Sequence, residues 1–297
     1  MDAAANFAAL APQQFNVLRY RRRQLVNVLA FAATALCALL SLSVLFFILG
    51  YIAYHGAAGV NLDFFTKLPK PVGELGGGMA NAIVGTLKLL GLATVVGVPV
   101  GFLGGVYLSE FGHNKVGFVV RYATDILNGV PSIVMGIFAY TIVVLPMKHF
   151  SALAGGLALG VMMIPIAVRS TEEFLRVVPH SVREAGLALG LPEWKVICFI
   201  VIPTALRGLL TGILLDLSRV AGETAPLLFT AFSNRYWAEG WLEPIASLPV
   251  MVFTYAISPY EDWHRQAWAA ALVLIGLVLI ANALARFALR DRHKVVL

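Results

Sequence analysis

Three ionisable side chains, Asp216, Arg219 and Glu223, interrupt an otherwise apolar run from Gly212 to Phe229, GILLDLSRVAGETAPLLF. At spacings of i, i+3 and i+7 they stack on one face if the run is an α-helix. The run reads as membrane-spanning, and a charge at the bilayer centre costs about 3 kcal/mol on insertion scales. Two chemistries account for such a cost. The residues line an ion or proton path, or they form a structural ion pair that glues helices together. Counting from Pro203 puts Arg219 about 24 Å along a helix, past the midplane and nearer the outside.

Charges of this kind need a membrane bundle to position them, and the rest of the chain supplies one. Of 297 residues, 59% are hydrophobic and 13% charged, against roughly 25% charged in an ordinary soluble domain. Apolar stretches able to cross a bilayer occur at Leu25–Tyr54, Ala82–Leu108, Ile126–Leu145, Leu153–Val168, Thr204–Phe232 and Trp268–Leu289. The expected fold is all-α, with six transmembrane helices. Most of the 22 lysines and arginines fall on one side of them, from Arg19, Arg21, Arg22 and Arg23 to Arg286, Arg290, Arg292 and Lys294. Lys67, Lys70, Lys148, Arg235 and Arg265 fall on the other. That bias places both termini in the cytoplasm and accounts for the net charge of +6 without nucleic acid.

The arginines before Leu25 resemble the start of a secretory signal, but the apolar run after them is about twice the usual length. A cleaved signal is not expected. Cys37 lies in the first span and Cys198 near the cytoplasmic face, so neither a disulfide nor a metal centre is expected. Gly97, Gly101 and Gly105 form two overlapping GxxxG steps, a surface for close helix approach. Gly76-Gly77-Gly78 reads as a flexible lead-in to the second span. No Gly-Lys pair occurs in the chain, so a Walker-type nucleotide loop is absent.

Between the fourth and fifth spans runs VVPHSVREAGLALGLPEWKVICFIVIP. Ser181 and Glu184 have the spacing of a capping box, which starts a helix at Val182. Gly190 suits a left-handed stop, and Pro192 the first turn of a second helix. The first helix presents Leu187 and Leu189 beside small Ala185, Gly186 and Ala188, an apolar knob on a soluble face. Periodicity leaves two readings level, a protein-docking helix and an interfacial helix lying on the membrane.

Glu184-Ala185-Gly186, then Gly190, then Ile200-Val201-Ile202-Pro203 resemble the EAA loop of type I ABC-importer permeases, which have the MetI-like fold. Gly186 stands where that motif has alanine, and Ile202 where it has leucine. In that family the loop forms the coupling helix that fits a groove on the ATP-binding subunit. A narrower resemblance, to the A-type permease subunits of phosphate-specific transport systems, rests on SRVAGETAPLLFTA from Ser218 to Ala231. It also rests on Asn81 to Leu87, Pro131 to Gly136 and Pro244 to Val250, and runs from about Gly76 to Leu289. Asp216 departs from it, since members carry an apolar residue there.

The resemblance implies an ATP-driven importer of inorganic phosphate in a bacterial inner membrane. This chain would bind no cofactor itself. Its partners would be membrane lipid, a homologous second permease, an external phosphate-binding protein and a dimer of ATP-binding subunits that uses ATP and magnesium. Residues 1–24 would form a cytoplasmic segment and 25–75 the first helix with its external loop. Residues 76–290 would form a five-helix core containing the 170–203 coupling loop, and 291–297 a cytoplasmic tail.

Under this reading Arg219, Glu223 and Thr224 line the substrate path, Glu184, Ala185, Gly186 and Gly190 couple to the ATPase, and Asp216 and Lys88 are accessory. The chemistry agrees. A guanidinium offers a planar fork of donors suited to phosphate oxygens and keeps its charge in a low-dielectric pore. Glu223, one turn on, would hold that arginine while the path is empty, or accept a hydrogen bond from a phosphate hydroxyl that sulfate lacks.

Other residues have plainer expectations. Lys88 snorkels to the outer interface, Glu110 and Asp125 are solvated span ends, and Glu172 and Glu173 face solvent or a partner. Trp237, Trp241, Trp263 and Trp268 ring the external loop, as a membrane belt or around a docking surface for a delivery protein. An importer of another oxyanion, sulfate or molybdate, stays open as an alternative. An intramembrane enzyme is less supported, because Ser132 and Thr224 have no histidine partner by spacing.

Overall fold

In a bilayer every backbone polar group must be satisfied within its own segment, so runs this apolar become helices. The computed structural model describes residues 17–74 and 76–290, and its regular elements there are all helical. The tail with Arg292 and Lys294 and the first sixteen residues of the expected N-terminal segment lie outside the described residues. The chain divides into two units, one ending at Ala53 and the other starting at Tyr54. In the first, α1 (Val17–Ala57) is one long helix whose described side chains are almost all exposed.

The second unit begins with α2 (Leu62–Thr66), started by Asn61, whose Oδ1 accepts from the Phe64 N–H at 2.8 Å. There follow α3 (Ala80–Glu110), α4 (Lys115–Gly129), α5 (Ser132–Met147), α6 (Ala152–Arg176), α7 (His180–Ala188) and α8 (Glu193–Ala221). Short α9 (Ala225–Thr230) and α10 (Leu248–Ala256) precede the last long helix, α11 (Glu261–Arg290).

The glycine steps in α3 do what their spacing promises. A methyl on Gly97 would lie 2.7 Å from Met163 Cβ, one on Gly105 2.5 Å from Thr171 Cβ, and one on Gly101 would collide with Ala167. From the other side, Gly156 of α6 backs onto Leu92 and Gly160 onto Val96. Numbers rise together along both helices, so α3 and α6 run parallel. Two parallel spans need a crossing between them, and α4 with α5 must make it.

That crossing is not the straight helix expected over Ile126–Leu145. α4 and α5 meet at 102°. Pro131 disfavours helical backbone at the residue before it, and Val130 is extended at φ −71° and ψ 129°. Among the described residues, five continuous helices are long and apolar enough to cross a membrane, and the bent pair makes a sixth if it counts as one span. The expected fifth span, Thr204–Phe232, is also broken. α8 ends at Ala221, Gly222 and Glu223 leave the helix, and α9 restarts at Ala225 with Pro226 in its first turn. At its other end α8 begins earlier than expected, at Glu193. A π turn over Ile197–Val201 relaxes the helix just before Pro203, which has no N–H to donate.

α8 lies antiparallel to α6. Gly208 and Gly212 press against the ring of Phe174, and Asp216 further along meets Ser170. α8 is also tied to α11, where the Asn282 amide donates to Ser218 Oγ at 2.7 Å. Small residues and single polar contacts are what hold helices together where lipid removes the hydrophobic drive.

Candidate translocation site and coupling surface

The two helix breaks meet. A cavity of about 180 Å³ opens where α4 turns into α5, and its wall includes Asn128, Ser132, Met135, Met162, Arg219 and Glu223. Gly136 of α5 makes the meeting close, since a methyl there would lie 2.7 Å from Pro226 Cα of α9. α5 starts at the cavity, and its first N–H groups have no acceptor within the helix. The positive end of a helix dipole thus stands beside the Arg219 guanidinium. One carboxylate, one hydroxyl and one amide complete a lining that suits an anion still carrying a proton.

Three expectations about this run change. Glu223 does not continue the face of Asp216 and Arg219, because Gly222 ends the helix and Glu223 turns back, its N–H donating to Val220 O at 3.1 Å. Among the described residues no ion pair joins Glu223 to Arg219, so the carboxylate does not hold the guanidinium. Asp216 is outside the cavity and buried, accepting from Ser170 Oγ at 2.9 Å within electrostatic reach of Arg219. Thr224 precedes α9 and makes no side-chain cap, its carbonyl taking the Leu227 N–H at 3.1 Å.

Depth changes too. Asp216 is level with Ser170, so Arg219, one turn on and antiparallel, is level with about Ile166, which shares its cavity. That point is about 15 Å from the C-terminal end of α6 and about 20 Å from its start, at 1.5 Å per residue. Arg219 is therefore near the middle of α6.

Lys88 is remote from the cavity. Its ammonium donates to Ala238 O at 3.0 Å and sits 5.7 Å from the Trp241 ring. The same loop receives the Asn81 amide on Asn234 O at 2.7 Å and supplies Trp241 O and Glu243 O to the first N–H groups of α6. This end of the bundle is thus a tied loop.

At the opposite end, α7 starts at His180 after Pro179 and not at a capping box, which leaves Ser181 inside the helix with no cap bond from its hydroxyl. Gly190 takes the left-handed conformation at φ +77°, as its place after α7 requires. Glu184, Ala185, Leu187, Ala188 and Leu189 are exposed, while Gly186 is buried. A methyl on Gly186 would lie 2.8 Å from Ile200 Cδ1 and 3.0 Å from Val196, so alanine here requires those side chains to give way.

Glu110 and Glu172, expected to be solvated, are buried in ion networks. Glu172, 1% exposed, takes Arg121 and Arg176 each at 2.6 Å. Glu110 takes the fork of Arg183 at 2.8 and 3.0 Å. Asp125 faces Arg169 at 3.4 Å. Arg176 reaches Glu172 from one turn along α6, a spacing visible in the sequence, but the pairs with Arg121, Arg183 and Arg169–Asp125 link different helices, and no spacing rule along one helix reveals them. The break beside Ser132 was legible: Gly129-Val130-Pro131 is a breaker run.

A membrane bundle with a mid-depth polar cavity and an exposed knob on a soluble end has the build of a transport subunit. The sequence profile for the binding-protein-dependent transport system inner membrane component matches residues 97–293. The phosphate transport system permease protein PstA of Yersinia pestis is 44% identical over 282 residues, 95% of each chain. PstA of Xylella fastidiosa is 46% identical over 278 residues, 93% of this chain and 96% of the relative. Among solved structures, inward-facing MetNI methionine ABC transporter is similar with a TM-score of 0.55 at 19% identity, over 69% of this chain and 91% of that one. The chain belongs to the binding-protein-dependent transport inner-membrane components, in the PstA branch of that family. It is a transport permease and not an enzyme, one component of a larger transport system.

Proposed function

We propose that this chain imports inorganic phosphate across a bacterial inner membrane, with both termini in the cytoplasm, as one half of the translocation path. The observation that carries this is the mid-depth cavity in which Arg219 and Glu223 stand together without pairing. The printed names of the relatives support phosphate as the cargo. Arg219 and the start of α5 would draw the anion in, and Glu223 would accept the hydrogen bond of a protonated phosphate oxygen. Thr224 shapes the turn beside them, Asp216 fastens α8 to α6, and Lys88 ties the outer loop.

A second permease resembling this chain would close the other wall, and an external phosphate-binding protein would deliver the anion to the outer end. A dimer of ATP-binding subunits would spend ATP with magnesium. Their closure would push α7, at Glu184, Ala185, Gly186 and Gly190, so that the cavity faces each side in turn. The core from 76 to 290 would carry transport, with 1–24, 25–75 and 291–297 as peripheral segments.

Reconstituted importer tests the reading by ATP-driven uptake of labelled phosphate against sulfate and molybdate. Arg219→Gln is expected to lower phosphate uptake about a hundredfold, the scale of one lost charge-stabilising group in a desolvated site. Uptake unchanged in that variant would remove Arg219 from the path. Glu223→Gln is expected to reduce phosphate uptake and let sulfate compete. A variant that loses phosphate uptake without gaining any sulfate passage or binding would remove the discrimination role.

A further inference from the structure

We infer that Arg183 is a positioning residue that clamps the coupling helix α7 to the ends of α3 and α6, so that these three helices move as one body during transport. This rests on α7 being the helix that docks the ATPase. Arg183 Nε donates to Glu110 Oε2 at 3.0 Å and one terminal nitrogen to Glu110 Oε1 at 2.8 Å, a bidentate fork onto the last residue of α3. The same guanidinium donates to Leu175 O at 2.9 Å and to Val178 O, the carbonyls at the end of α6 and just after it. Its side chain is 16% exposed and that of Glu110 9%.

A guanidinium used in this way fixes distance and angle together, because both partners are planar and both forks are filled. Ser109 Oγ adds a bond to Glu110 at 2.9 Å. Beside it, Arg121 of α4 donates to Leu108 O and Gly112 O at the end of α3, and to Glu172 of α6. The clamp therefore ends on helices that are themselves fused by the glycine contacts along their length. α7 also packs on α8 through Gly186 and Ile200. Without the clamp, a push on α7 would reach α3 and α6 only through the short link at 177–179 and the apolar contacts around Val182. With it, the push reaches α3 and α6, and the broken helices α5 and α9 are left as the parts that rearrange.

The test uses the complete importer carrying this chain. Arg183→Gln should still co-purify with the ATPase partner and hydrolyse ATP without delivery protein, but uptake per ATP should fall about fivefold or more, the low end of a coupling free energy. Wild-type uptake per ATP in Arg183→Gln overturns the clamp. A second protein carries Glu110→Cys and Arg183→Cys with Cys37→Ala and Cys198→Ala, so that a short bis-methanethiosulfonate bridges the two helices through reducible disulfides, each cysteine thiolate displacing a methanesulfinate. Low coupling before bridging, recovery on bridging and loss again on reduction are expected. A bridge that stops transport overturns the proposal, since α7 must then move against α3. Failure of the underlying docking reading is distinct: it appears as full retention of the ATPase partner in Leu187→Asp.

Discussion

α3 and α6 form one kind of pair and α5 and α9 another, and the contrast explains how a rigid bundle can carry a moving path. The first two are uninterrupted helices pressed together by glycine until backbone nearly meets backbone. The second two are fragments, each starting after a break in the helix, and each holding a proline at or near its start. Close glycine packing gives dispersion contact without side-chain entropy loss, and it tolerates no added atom. Helix breaks give up backbone bonds, and at bilayer depth they persist only where they line a polar cavity. The fused pair carries the polar clamps at one end, and the breaks before α5 and α9 adjoin the cavity lined by Ser132, Arg219 and Glu223.

The sharpest way to break that contrast is to add bulk where the first pair is tightest. Gly101→Val would place its branched carbon against Ala167 with no flexible neighbour to yield. Overpacking of a well-filled core costs about 1–3 kcal/mol, and more when backbone must separate. The expected outcome is loss of folded protein in the membrane, read by yield and thermal unfolding of the detergent-solubilised chain. A Gly101→Val protein as stable as wild type would mean that the two helices are free to part, and the rigid half of the comparison would go.

The two halves also differed in how far sequence could read them. The GxxxG spacing in α3 is local, and a period of four residues predicts a close partner without naming it. Gly190 and the knob of α7 were legible for the same reason, since turn chemistry and exposed apolar residues are short-range signals. The site was only half legible. Arg219 and Glu223 stood out because charge in an apolar run is costly, yet their stacking on one face failed at Gly222, where the helix stops. Asn128 and Ser132 come to Arg219 only through the fold of another helix. Glu110 looked like a solvated span end and Glu172 like a residue facing solvent or a partner, and the tertiary approach of Arg183 and Arg121 is what pairs them.

A second substitution probes the broken half, with a smaller effect of a different kind. Pro131→Ala removes the restriction on Val130 and lets α4 run toward α5. Thermal stability should change by no more than about 1 kcal/mol, the usual size of a proline effect acting through the unfolded chain. Phosphate uptake in the reconstituted importer should nevertheless fall severalfold, because the start of α5 would leave the cavity that Arg219 lines. If Pro131→Ala unfolded the protein as Gly101→Val does, the break would be a structural joint and not a working part.

The third prediction reaches the coupling end. Gly186→Ala puts a methyl 2.8 Å from Ile200 Cδ1 and 3.0 Å from Val196. Both neighbours are side-chain ends that can shift, so α7 should lift slightly and lose about 1 kcal/mol of its hold on α8. Titration of the permease with its ATPase partner should then show binding weakened about fivefold, the ratio that free energy gives. Tighter binding in Gly186→Ala would mean that α7 docks best when raised from α8.

The smallest effect belongs to Lys88, and it separates a charge that ties from a charge that conducts. Its bond to Ala238 O and its place over Trp241 hold a loop that is also fastened through Asn234, Trp241 and Glu243. Such a contact is worth about 1 kcal/mol at a half-exposed site. Lys88→Met keeps the stem and removes the charge, so backbone hydrogen exchange at Ala238 should rise about fivefold in line with that energy. Phosphate uptake should stay within about twofold of wild type, since an outer tie adds little to transition-state binding. An uptake loss as deep as that of Arg219→Gln would place Lys88 on the path, and the anion would then meet two charged stations in series, one at the outer loop and one at the helix breaks.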